Sequence, residues 1–459
     1  LLATIVLARF LAPGDYGLFV MTFFVNELAQ LLINFGLGAA LVQRKEVSDQ
    51  LLSSCFWISL GVGAVAGGLL IAAGPLVADF FGQPLIRWLL VASAANVLAG
   101  ALAVVPYALI ARRLELHEAA VGTVVGSVVG ALSAVGLAVA GLGVWALVMQ
   151  PLIGTTATTV FLYVRTRWRP RWTFSLAEVL GMLTFSGHLL GSNVLAHVTR
   201  NLQSLILGPA MGAAALGLIG MAQTVVWLPL AQIGQAVVKA TFPVFSKLQD
   251  EPPRAKAALY RSVRVIAFLS FPLLAGIGVL APDLMPVAFG PQWASSAPLV
   301  GVLCAAAMVK SATTLSDTIL ISTGRTSQMM WLSLFGLGIS AAFLWSARTG
   351  PVLHGVVAMA VPAVMLQLTS QALALRAIGG RWREFASCAM RPLVGSSIMV
   401  AGIAGARPFL LEQPALVRLV VLSLAGAALY TLWSALASRA LLADLLGLAA
   451  AKLKSERGA

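Results

Sequence analysis

The residues of this 459-residue chain that could do chemistry are ionisable side chains set inside long apolar runs. Glu27 interrupts FFVNELAQLL. His197 and Arg200 stand in HVTRNLQSLILG beside Asn201 and Gln203, and Lys310 and Asp317 fall in MVKSATTLSD. Seven residues are two helical turns, so on a straight helix Lys310 and Asp317 share one face, about 10 Å apart along the axis. A charge that survives in hydrocarbon faces a water-filled space or a partner. Arg9, Arg200 and Lys310 are therefore candidates to set positive charge against a pyrophosphate or an acidic sugar in transit. Glu27, Asp317 and His197 are candidates for coupling or gating. His197, and His188 in the same run, could titrate near neutrality. The competing reading of each is structural: a charge paired at a helix interface, or a hydrogen-bonded core histidine.

No catalytic set accompanies these residues. GxxxxGK[ST], HExxH and GxSxG are all missing from the sequence, which removes the phosphate-loop, zincin and nucleophile-elbow chemistries. Four His and 16 acidic residues, mostly in loops, offer little material for metal clusters or carboxylate pairs. Cys55, Cys304 and Cys388 are too far apart for metal-ligand spacing or a disulfide framework and read as packing residues. Neither a metal nor a cofactor is expected, and the chain does not read as an enzyme.

The elements that must position such residues are membrane helices. The chain is 59% hydrophobic and 10% charged, with a mean hydropathy of +0.94, whereas soluble domains carry about 25% charged residues. Runs such as 51–73 and 121–140 are near the roughly 20 residues that a helix needs to cross the hydrocarbon layer. Apolar segments are expected at 1–11, 16–43, 51–73, 85–110, 118–140, 143–164, 177–207, 212–238, 258–281, 294–321, 327–347, 352–375, 391–408 and 415–442. That makes an all-α polytopic protein of about fourteen transmembrane helices. The chain opens inside an apolar run, Leu1 to Phe10, so the first helix reads as truncated.

A net charge of +14 and a pI near 10.5 would suggest nucleic acid for a soluble protein. Here most Lys and Arg residues sit in alternate short loops, for example Arg112 and Arg113, Arg165 to Arg171, and Arg381 and Arg383. The charge is then a topology signal, placing these loops and the C-terminus in the cytoplasm, with no nucleic acid partner. The longest loop, Lys239 to Ala257, is expected to lie along the cytoplasmic membrane surface. GxxxG-like spacing at Gly122, Gly126 and Gly130 points to helix packing, and Pro229, Pro272 and Pro362 are candidate bends.

Internal similarity pairs LAPGDYGLF at 11–19 with LGPAMGAAALGLI at 207–219, aligning Gly17 with Gly217. Two further matches align Gly82 with Gly290 and Arg112 with Arg325, in the same order and at similar offsets. An offset of six helices keeps both copies in one orientation, so the repeat is parallel. The expected organisation is an N-terminal lobe over 1–164, a basic linker at 165–176, a C-terminal lobe over 177–375, and a basic loop at 376–390. Two extra helices at 391–442 and a cytoplasmic tail at 443–459 complete it.

ARFLAPGDYGLFVM (8–21), ALIARRLE (108–115), LGLIGMAQTVVWLPL (216–230), TFPVFSKLQ (241–249), AFGPQWASSAPLVGVLC (288–304) and ISTGRTSQ (321–328) together form a familiar pattern. With them the chain resembles the polysaccharide-transporter branch of the MOP (multidrug, oligosaccharidyl-lipid, polysaccharide) superfamily, the Wzx-type flippases. The resemblance implies a MATE/MOP-like fold of two six-helix lobes plus two helices in the bacterial inner membrane. It also implies export of an undecaprenyl-diphosphate-linked oligosaccharide for exopolysaccharide, capsule or O-antigen synthesis. Membrane lipid, a polysaccharide polymerase and chain-length proteins would be its neighbours. Related sequences commonly carry an acidic residue where this chain has Gln203, so any coupling role of that position does not carry over. A multidrug antiporter of the same superfamily is the nearest alternative. It would be expected to offer acidic groups to cationic drugs, but here intramembrane basic residues outnumber acidic ones. A membrane polymerase or ligase should carry a sizeable external loop with catalytic residues, and the loops are too short for one.

Overall fold

The computed structural model describes residues 2–33, 38, 41–42, 44, 47–175, 194–195, 197–247 and 252–437. Every regular element among them is a helix. This is the outcome required of a chain in hydrocarbon, where each backbone N–H and C=O must be satisfied within its own segment. Twelve of the described helices are long and apolar enough to cross a membrane, and the protein is a multi-pass membrane protein. Of the other two expected segments, 1–11 is seen as a helix of nine residues, Leu2–Phe10. The segment 177–207 lies largely outside the described residues, and His188 lies outside them altogether.

The chain forms two compact units, Leu1–Gly220 and Met221–Ala459. The first contains α1 (Leu2–Phe10), α2 (Pro13–Ile33), α3 (Asp49–Phe81), α4 (Ile86–Arg112), α5 (Leu116–Val139) and α6 (Val144–Thr166). Helix α7 (Leu202–Lys247) begins in it, interrupted at Gly212, whose φ of 81° and ψ of 175° no helix contains. Ser48 caps α3 by accepting from the Leu51 N–H at 3.0 Å, and Gly82, at φ 63°, ends it. The expected packing of α5 is seen. Gly122, Gly126 and Gly130 are buried against α6, and a Cβ on Gly126 would lie 2.5 Å from the Gly154 carbonyl oxygen.

The second unit contains α8 (Pro252–Leu284), α9 (Ala297–Ala312), α10 (Ser316–Ser322), α11 (Thr326–Ala347), α12 (Val352–Ala377), α13 (Trp382–Ala406) and α14 (Ala415–Ala437). The FGPQW sequence between α8 and α9 is structural. Gly290, at φ 114°, turns the chain into a 3-10 segment, Pro291–Ser296, that sinks Trp293 to 0% exposure. Two expectations change here. Residues 239–257, read as a surface loop, are helical through Lys247, across Pro243, and again from Pro252, where the Pro252 and Pro253 pair opens α8. The run 294–321, read as one straight helix, is broken by a turn at Thr313–Leu315. Lys310 and Asp317 therefore lie on separate helices, and the shared-face argument for them does not apply.

Candidate transport site

In the first unit, LAPGDYG builds a helix start and a close crossing. Pro13 opens α2, and Asp15 accepts the Ala12 N–H at 3.3 Å, half of a capping box. Gly17 then meets the chain at Ala213. A Cβ on Gly17 would lie 1.7 Å from the Ala213 carbonyl oxygen, and one on Gly217 would lie 1.8 Å from that of Pro13. The contact is reciprocal: 13 meets 217 while 17 meets 213. It has the form of contact made across a local two-fold axis, and it joins the same residues that the internal repeat aligns.

The ionisable candidates of this unit differ in setting. His197 is 4% exposed. It stacks on Phe24 at 5.3 Å between ring centroids, and its Nε2 is 3.0 Å from the Phe24 carbonyl oxygen. A carbonyl only accepts, so Nε2 carries the proton and Nδ1 is left to accept from the Asn201 amide at 3.5 Å. This is the environment of a hydrogen-bonded core histidine. Arg9, in the last turn of α1, and Arg200 are exposed, and Glu27 is half-exposed on α2. A cleft of about 480 Å³ runs between α5 and α6, with Phe23 of α2 at its side. Thr123, Ser127, Gln150, Thr155 and Thr158 line it. Hydroxyls and an amide beside an aromatic ring are suitable chemistry for a neutral sugar.

The second unit gathers its polar residues around the break between α9 and α10. Lys310 is exposed at the end of α9, and its Nζ sits 4.5 Å from the centroid of the half-buried Trp227 ring on α7. A cation held over an indole face gains roughly 0.5–2 kcal/mol, enough to fix a flexible side chain in one orientation. Beyond the turn, Asp317 accepts from Ser370 Oγ at 3.0 Å. Thr313 Oγ1 donates to Gln367 at 3.0 Å, and Ser316 donates to Gln371. Three residues of α12, Gln367 and, one turn on, Ser370 and Gln371, thus serve the groups at the break. Broken helices with such side chains are where transporters place polar ligands.

Elsewhere in this unit Asp283, 1% exposed at the end of α8, lies between two arginines. Arg418 donates to Oδ1 through Nε at 2.7 Å, and an Arg407 guanidinium nitrogen is 3.2 Å from Oδ2. The Arg407 contact is close enough for an ion pair, though it is not aligned as a hydrogen bond. This triad ties α13 and α14 to α8. Below it an apolar groove of about 450 Å³ runs among the same three helices, lined by residues such as Leu273, Ile277, Met399 and Leu419. Lys310 and Asp317 are thus close along one broken span of the second unit, while Arg9, Glu27, His197 and Arg200 belong to the first. Sequence reasoning missed Trp227, the α12 amides and Asp283. Asp283 alone had a local signal, as an acidic residue among apolar neighbours in VLAPDLMP.

Residues 6–298, well over half the chain, match the family described as "Polysaccharide biosynthesis protein". The chain belongs to that family. Among curated proteins of the polysaccharide biosynthesis group, it is 26% identical over 455 residues to the "Succinoglycan biosynthesis transport protein ExoT" of Rhizobium meliloti (strain 1021), covering 97% of this chain and 91% of the relative. Its fold is similar to that of a structure titled "Lipid II flippase MurJ, inward closed conformation", with a TM-score of 0.77 at 12% identity and 96% of each chain covered. It is also similar to a multidrug resistance MATE family transporter of the MOP superfamily, with a TM-score of 0.62 at 16% identity, covering 82% of this chain and 93% of the other. The MATE/MOP-like all-α fold expected from sequence is therefore the fold observed. The curated relative and the two structural neighbours are named as transporters or a flippase.

Proposed function

We propose that this protein flips an undecaprenyl-diphosphate-linked oligosaccharide from the cytoplasmic to the periplasmic leaflet of the bacterial inner membrane, for exopolysaccharide, capsule or O-antigen synthesis. The observation that carries the reading is Lys310, an exposed cation held over Trp227 beside a broken membrane helix. A diphosphate arriving there would give this ammonium a charge-assisted partner in addition to the indole face and the nearby Asp317. The hydroxyl-lined cleft of the first unit supports a sugar headgroup. The apolar groove among α8, α13 and α14 supports a polyprenyl tail. Relatives named for polysaccharide transport and for lipid flipping agree with this cargo.

The mechanism proposed is alternating access by two lobes, 1–164 and 177–375, with the C-terminus in the cytoplasm. Arg9, Arg200 and Lys310 contact the headgroup, and Glu27, Asp317 or His197 couple or gate the movement. Carrying a hydrophilic headgroup through hydrocarbon costs several kcal/mol for each polar group left unpaired, and a polar path removes most of that barrier. Polysaccharide polymerase and chain-length proteins would receive the product. Arg200→Ala and Lys310→Ala each remove a charge-assisted contact of about 1.5–3 kcal/mol. Delivery of lipid-linked repeat units to the periplasmic leaflet should fall about ten- to a hundredfold, with the amount of protein in the membrane unchanged. Undiminished delivery in both variants would remove these residues from the headgroup path.

A further inference from the structure

The cleft between α5 and α6 has a one-sided hydrogen-bonding character that bears on which sugars it can hold. None of the described residues lining it is charged. Its floor is backbone: Gly126, Gly130 and Gly154 bring the two helices so close that a Cβ on Gly130 would lie 2.7 Å from the Gln150 carbonyl oxygen. On its walls Thr123 Oγ1 donates to the Ala119 carbonyl at 2.9 Å, Ser127 Oγ to that of Thr123 at 2.8 Å, and Thr158 Oγ1 to that of Gly154 at 3.0 Å. With their protons committed to the backbone, these hydroxyls offer lone pairs to the cleft. Pro151 has no N–H for the Leu147 carbonyl four residues back, which adds a further acceptor.

Free donors are few. The half-buried Gln150 amide and the Thr155 hydroxyl have no side-chain partner among the described residues. A lipid chain in the cleft would leave both unpaired at their full desolvation cost, so the fitting occupant is polar. Sugar hydroxyls donate to the acceptors and accept from Gln150, while the apolar face of a sugar ring lies against Phe19 or Phe23 at the side of the cleft. A carboxylate only accepts. Here it would meet mostly lone pairs and one amide, with no cation to offset its loss of water.

We propose that this cleft is a subsite for an uncharged sugar of the cargo, and that Gln150 sets its preference for neutral over acidic sugars. The proposal rests on the flippase reading for its cargo, and it puts any acidic sugar of the repeat unit outside the cleft.

The test follows the thiol of Ser127→Cys, an exposed position in the cleft, in the whole chain reconstituted in nanodiscs; the three native cysteines are buried. A small maleimide alkylates the thiol, and maltotriose or trigalacturonate, which have the same number of sugar units, is added at high ionic strength to screen the basic loops. Maltotriose should slow alkylation saturably, and trigalacturonate should need a concentration at least about tenfold higher. Gln150→Leu should raise the protecting concentration of maltotriose about five- to tenfold, and Gln150→Lys should make trigalacturonate the better protector. If Gln150→Lys does not fold, the comparison of the two sugars with Gln150 intact and the Gln150→Leu shift decide. A thiol that does not react, one that maltotriose does not protect, equal protection by the two sugars, or an unchanged protecting concentration in Gln150→Leu overturns the proposal. Leaflet transfer is a separate readout: its absence with the protection intact counts against the flippase reading and not against this subsite.

Discussion

Alanine at Gly17 would place a methyl carbon 1.7 Å from the Ala213 carbonyl oxygen, and alanine at Gly217 one 1.8 Å from that of Pro13. Real Cβ contacts essentially never fall below 3.0 Å, so the shortfalls are 1.3 Å and 1.2 Å, and the atoms in the way are backbone atoms that cannot swing aside. Either substitution must push the two segments apart. Overpacking of this kind costs about 1–3 kcal/mol, against which alanine regains up to about 1 kcal/mol of helix propensity over glycine. The repulsive effect wins because the whole backbone must move, and a net loss of about 1–2 kcal/mol is expected for each variant. Because the contact is reciprocal, the separation forced by one methyl makes room for the other. The double variant should then cost less than the sum of the singles, with a coupling of about 1 kcal/mol. Gly14, also on α2, would have nothing within 4 Å of an added Cβ and serves as the control. Thermal unfolding of the purified chain in detergent reads all four variants. Gly17→Ala and Gly217→Ala melting with Gly14→Ala, or a strictly additive double variant, would refute the reciprocal contact.

Two further substitutions probe the second unit. Trp227→Leu removes the ring beneath Lys310, worth about 0.5–2 kcal/mol, and should lower leaflet transfer about two- to thirtyfold. Trp227→Phe keeps a π face and should retain most of it, so equal losses in both would contradict the cation–π positioning. Asp283→Asn leaves Arg407 and Arg418 facing a neutral amide. Breaking a fully buried pair costs about 3–5 kcal/mol, but the arginine side chains are 31% and 15% exposed, so about 2–3 kcal/mol is expected as a lowered unfolding midpoint. A midpoint equal to that of the wild type would mean that the triad does not hold α13 and α14 to α8.

Membrane crossing is legible in this sequence wherever lipid acts as the solvent, because a long apolar run has no other stable setting. The ends are not. The run at 51–73 belongs to Asp49–Phe81, a helix that continues through Pro75 and stops only where Gly82 takes φ 63°. Hydropathy reports the solvent, while caps and turns report the ends. The break between α9 and α10 is hidden because SATTLSD contains neither Gly nor Pro; the side chains of α12 stabilise the turn, and they lie some fifty residues away. Lys310 shows itself as a lone charge, but Trp227 does not, since nothing local links an indole on α7 to a lysine on α9. The repeat aligned Gly17 with Gly217 from similarity alone, and their mutual contact needed coordinates.

The central claim is that this chain carries lipid-linked oligosaccharide across the inner membrane. The most direct measurement uses bacterial hosts that each lack their own flippase and make a lipid-linked repeat unit of different sugar composition. The chain is expressed in each, and the leaflet distribution of the lipid-linked sugar is determined. The account predicts transfer to the periplasmic leaflet in at least one host, dependent on the chain and reduced about ten- to a hundredfold by Lys310→Ala. Repeat units that stay in the cytoplasmic leaflet of every host, with the protein present in the membrane, would contradict it.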